Sequence, residues 1–126
     1  MTTNSLFNEL EILTKEHISF IEQNVMPLND EQLTFRLRPE SWNVREIIAH
    51  INEFALYYHS AFSKKIDTTI YREPKETFLS SPLGKSMWNT MKLGNANNVK
   101  RKIKAYKMYN PTFVQSIVTE NVITDF

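Results

Sequence analysis

The chain contains no cysteine, which excludes a disulfide framework, a thiol nucleophile and any cysteine-ligated metal site. Glycine is almost absent as well. The two present, Gly84 and Gly94, are too few for a phosphate-cradling loop, which needs several glycines at fixed spacing. No apolar run approaches the roughly 20 residues that cross a bilayer. The opening residues, Met1-Thr2-Thr3-Asn4-Ser5, have neither the basic start nor the apolar core of a signal peptide. A large charge imbalance is also missing: 15 basic and 14 acidic side chains leave a net charge of +1. What is present is a chain of 126 residues, 41% hydrophobic, long enough for one domain and too apolar for a disordered one. A soluble, cytoplasmic, single-domain protein spanning 1–126 is therefore expected.

Helical periodicity dominates the first half. Leu6, Leu10, Leu13, His17 and Ile21 recur at three- and four-residue spacing, widened by Phe7 and Ile18, and predict a helix over 5–26 capped by Asn4 or Ser5. Pro27 stops it. Residues 27–42, with Pro27, Asn29-Asp30 and Pro39, carry turn chemistry. Asn43 then stands three before Glu46, the spacing of a reciprocal capping box, with Trp42 and Ile47 placed as a hydrophobic staple. Val44, Ile47, Ile48, Ile51, Phe54, Ala55, Tyr58 and Phe62 continue the period and predict a second long helix over 43–66.

Beyond Ile66 the pattern is interrupted by Thr68, Thr69, Pro74, Pro82, Gly84 and Gly94. Trp88, Met91 and Leu93 suggest a short buried turn or helix. Residues 97–107 suggest a helix with Val99, Ile103 and Tyr106 inward. Asn110-Pro111 is suited to a cap and first turn, and Phe113, Ile117, Val118, Val122 and Phe126 predict a third long helix that reaches the last residue uncapped. The charge is distributed unevenly along this order. Residues 1–76 hold eight basic and twelve acidic side chains, a balance of −4, whereas 77–119 hold seven basic and no acidic ones.

Three histidines are available for chemistry. His17, near the middle of the first helix's stripe, reads first as a hydrogen-bonded core residue and second as a ligand. His50 and His59 lie on opposite borders of the second helix's stripe, and nine residues is not the i, i+3 or i+4 spacing of a helical ligand pair. His59 reads as a solvated flank residue. His50 and His17 could meet across two packed helices, yet neither inner stripe offers a carboxylate as third ligand, and Glu46 and Glu53 read as solvated. Lys100, Arg101, Lys102, Lys104 and Lys107, interleaved with Tyr106 and Tyr109, pair cations with rings as nucleic-acid contacts do. Without a recognised motif and at near-neutral net charge, a solvated helix face is the favoured reading.

The segment Arg38-Pro39-Glu40-Ser41-Trp42-Asn43-Val44-Arg45-Glu46-Ile47-Ile48-Ala49-His50-Ile51 resembles the signature of DinB-like (YfiT-like) proteins. Lys104 to Phe126 is similar to that family's entry into its third long helix. The resemblance implies an all-α, up-down four-helix bundle, here three long helices plus a short one with the fourth missing. It also implies kinship with metal-dependent hydrolases and thiol-dependent transferases. His50 matches the family's first metal ligand. The other two come from a His-x-x-x-His pair on the last helix, and this sequence contains no such pair. The implied divalent ion, nickel or zinc, thus has an incomplete ligand set, and His17 has no family counterpart. The substrate would be a small molecule of unspecified class. A missing fourth helix would leave an apolar groove, through which two chains are expected to pair as a homodimer unless the gene is truncated, and a non-catalytic interaction or dimerisation module is the alternative to an enzyme.

Overall fold

The computed structural model describes every residue except Asn97. Just over half of the chain is helical, and the described residues contain no strand beyond one isolated bridge, so the protein is all-α. Its helices are α1 (Thr3–Asn24), α2 (Asp30–Thr34), α3 (Val44–Thr68) and α4 (Pro82–Met91), followed by two 3₁₀ turns at Lys107–Tyr109 and Gln115–Ile117. None of these helices is long and apolar enough to cross a membrane. The chain divides into two compact units, one made of Met1–Ile12 and Glu73–Lys104, the other of Leu13–Arg72 and Ala105–Phe126.

In the first unit the start of the chain is tied to the segment after residue 73. Thr2 bridges Thr77 in antiparallel fashion, the Thr3 amide donates to the Glu76 carbonyl at 2.8 Å, and the Phe78 amide donates to Met1 at 3.1 Å. Thr2 caps α1: its hydroxyl accepts the Ser5 amide at 3.1 Å, which moves the helix start ahead of Asn4. Ser81 caps α4 by accepting the Gly84 amide at 3.1 Å, with Pro82 in the first turn. The short helix expected around Trp88 and Met91 therefore forms, but Trp88, Met91 and Leu93 are exposed rather than buried.

In the second unit Ile21, Val25, Leu33, Ile48, Ala49 and Val122 make the core, with Leu28, Val44, Ile117, Val118 and Ile123 packed around them. Two capping boxes set its helices. Asn29 and Gln32 exchange hydrogen bonds at 2.9 and 3.0 Å and start α2, in a stretch whose composition had suggested only turns. Asn43 and Glu46 exchange bonds of 2.9 Å each and start α3, which runs two residues past the expected end.

Two expected helices are absent among the described residues; Asn97, where the first was expected to begin, lies outside them. From Asn98 to Tyr106 there is neither helix nor strand. A helix there would stack Lys100 on Lys104 and Arg101 on Lys104 with no carboxylate in the segment to offset the repulsion. The third long helix also fails to form. Asn110 begins a single turn, its carbonyl accepting the amides of Phe113 and Val114 at 2.9 and 3.0 Å, and the chain then leaves helical geometry at Val114. Val114, Ile117, Val118, Thr119, Val122, Ile123 and Thr124 are β-branched, and their restricted χ1 angles lower helix propensity along the whole stretch. The segment instead folds as turns and delivers Val122, 2% exposed, into the core. Three long helices are thus replaced by two.

Candidate functional site

His50 is held on α3 between three rings. Its centroid lies 5.2 Å from Trp42, 5.9 Å from Tyr109 and 6.2 Å from Phe54. The Trp42 indole N–H donates to the Thr112 hydroxyl at 2.8 Å, which fixes the ring that covers His50. The staple partner expected for Trp42, Ile47, is exposed. The imidazole Nδ1 is 2.7 Å from the Tyr109 carbonyl oxygen. A carbonyl only accepts, so Nδ1 carries the proton and, in the neutral ring, Nε2 keeps its lone pair. An imidazole oriented in this way by a backbone carbonyl is the form in which histidine ligates metals or accepts a proton.

The two glutamates near His50 have different settings. Glu46 is 3% exposed, which corrects the expectation that it is solvated. One of its oxygens accepts the Asn43 amide and the other accepts from the Arg36 guanidinium at 2.6 Å, while Arg36 also donates to the Ser41 carbonyl. Its lone pairs are committed to starting α3 and holding the preceding loop. Glu53 lies one turn beyond His50 and lines an open recess of about 410 Å³ with Leu56, Tyr57, Ser60, Ala61, Lys64, Met108 and Tyr109.

Tyr109 closes the site from the C-terminal segment. It is 6% exposed and touches His50, Phe54, Tyr57 and Tyr106, with ring centroids 5.8 to 6.1 Å away. Burial raises its hydroxyl above the ordinary value near 10.0, and the neighbouring Tyr58, Tyr106 and Tyr57 push in the same direction. Asn52 on the same helix donates to the Val122 carbonyl at 2.9 Å, so α3 grips the C-terminal segment at two places. Sequence reasoning missed Tyr109 and Thr112 as partners. They stand 59 and 70 residues from the groups they bind, and no local pattern announces such contacts.

His17 is exposed on α1 and His59 is exposed on α3. The core position inferred for His17 is therefore not the one it takes, whereas His59 occupies a solvent-facing flank. Among the described residues no three of His, Asp and Glu come together as a set able to hold an ion. One well-oriented imidazole does not fit a resident divalent metal on its own. The seven cations of 77–119 are exposed, and no ion pair among the described residues involves them. Lys92 lies 4.6 Å from the Trp88 ring centroid, Lys107 lies 5.7 Å from that of Phe113, and Lys100 donates to the Asn89 carbonyl. The chain matches no protein-family model, no curated protein and no solved structure.

Proposed function

We propose that this chain is a DinB-like helical domain that keeps one ligand position, His50, and acts as a self-associating interaction module rather than as a metal-dependent hydrolase on its own. The observation that carries the reading is the 2.7 Å clamp of His50 Nδ1 by the Tyr109 carbonyl beneath Trp42. That clamp prepares Nε2 to ligate, and it lies in the segment whose residues resemble the family signature. Glu46 does not serve as a second ligand, because Arg36 and the Asn43 amide occupy it. Self-association is supported by the apolar surface left on α3, where Leu56, Tyr57, Phe62 and Ile66 are all at least half exposed.

Elemental analysis after dialysis against nickel or zinc tests the proposal. The expected result is weak, substoichiometric metal that is lost in a His50→Ala variant. Stoichiometric metal that survives dialysis would overturn the module reading, and binding indifferent to His50 would overturn the ligand assignment.

A further inference from the structure

We propose that two copies of this chain pair through the Glu53–Lys64 flank of α3, helix against helix and antiparallel. The proposal rests on the self-association reading above and is independent of the family resemblance. At about 100° per residue, Glu53, Tyr57, Ser60 and Lys64 follow one line along α3, spaced by four, three and four residues as in a helix-pairing seam. Leu56, 69% exposed, and Ala61 border the line on either side. The same residues form one wall of the open recess, whose other wall is Met108 and Tyr109. Ser60 and Ala61 are small enough to let a second helix approach closely.

Charge selects the occupant and its direction. Glu53 stands at one end of the line and Lys64 at the other, eleven residues or about 16 Å apart. A two-fold axis passing between positions 58 and 59 sets each Glu53 opposite the partner's Lys64. It also sets Tyr57 opposite the partner's Ser60, twice, and brings the Leu56 border against the partner's Leu56 border and the Ala61 border against the partner's Ala61 border. A parallel pair would instead oppose Glu53 to Glu53 and Lys64 to Lys64. The face is thus complementary to itself under the two-fold symmetry that homodimers use, whereas the in-register parallel arrangement sets like charges together. The apolar residues supply contact, and the two ion pairs fix register.

Sedimentation velocity on the full chain, with Glu53→Lys, Lys64→Glu and the double swap E53K/K64E, tests this. Each single reversal is expected to weaken dimerisation by roughly tenfold at low salt, and the double swap to recover most of that loss. Ala61→Arg, which wedges the seam without touching either ion pair, is expected to leave a monomer. Circular dichroism of each variant confirms an intact helix content. A wild-type dimer indifferent to all four changes would place the interface elsewhere and sink this proposal while leaving self-association standing. A wild-type chain that is monomeric at every concentration would sink both.

Discussion

The proton on His50 is the smallest feature on which the account depends. If the Tyr109 carbonyl accepts from Nδ1, nitrogen chemical shifts of the neutral ring will show a protonated Nδ1 and a bare Nε2. The opposite tautomer would contradict the geometry. Glu46 gives a second check at this scale. Asn43→Ala removes one cap bond and is expected to cost about 1 kcal/mol. Glu46→Ala removes the reciprocal bond and deprives Arg36 of its partner, and should cost about 2 kcal/mol in denaturant unfolding. Tyr109 adds a pH dependence. Because its folded-state value lies above the unfolded one, its contribution is constant below about pH 10 and is lost as pH rises further. Alkaline unfolding should therefore be less steep in Tyr109→Phe than in the wild type. The position of His50 on α3 was legible from the sequence, since helical period alone places it. Its clamp was not, because Tyr109 and Thr112 arrive through tertiary folding.

At the scale of elements, legibility followed capping chemistry. The Asn43 and Glu46 pair announced α3, and the structure builds both bonds. Asn29 and Gln32 carried the same signal for α2, obscured by the neighbouring Pro27 and Asp30. Apolar period without a matching propensity misled the reading in two places. Residues 98–106 crowd like charges and form no helix, and residues 110–126 turn once and then bend because β-branched residues resist helical χ1 angles. Hydrogen exchange checks the first of these directly. Amides of Val99 to Ala105 should exchange at nearly unprotected rates, while those of Ile48 to Asn52 in α3 should be protected. Equal protection in both stretches would mean that the basic segment is helical after all.

For the whole molecule, the telling quantity is how little is buried. A core of six side chains in the second unit coexists with exposed Phe7, Phe20, Leu56, Phe62 and Ile66 on the two long helices. Chains of this length ordinarily remove roughly two-thirds of their surface from water, so apolar area of this extent calls for a covering surface. The sequence indicated that such a face would exist. The face expected was the groove of a missing fourth helix, a geometry that presupposed a third long helix where the terminal segment instead supplies Val122 to the core as a turn. The central proposal is that the chain covers the exposed Leu56 and Tyr57 flank of α3 by pairing with itself. Sedimentation equilibrium of the wild-type protein over a wide concentration range tests it most directly. A self-pairing chain will show a mass approaching twice the 14.9 kDa of one chain as concentration rises. A mass that stays at the single-chain value throughout would contradict it.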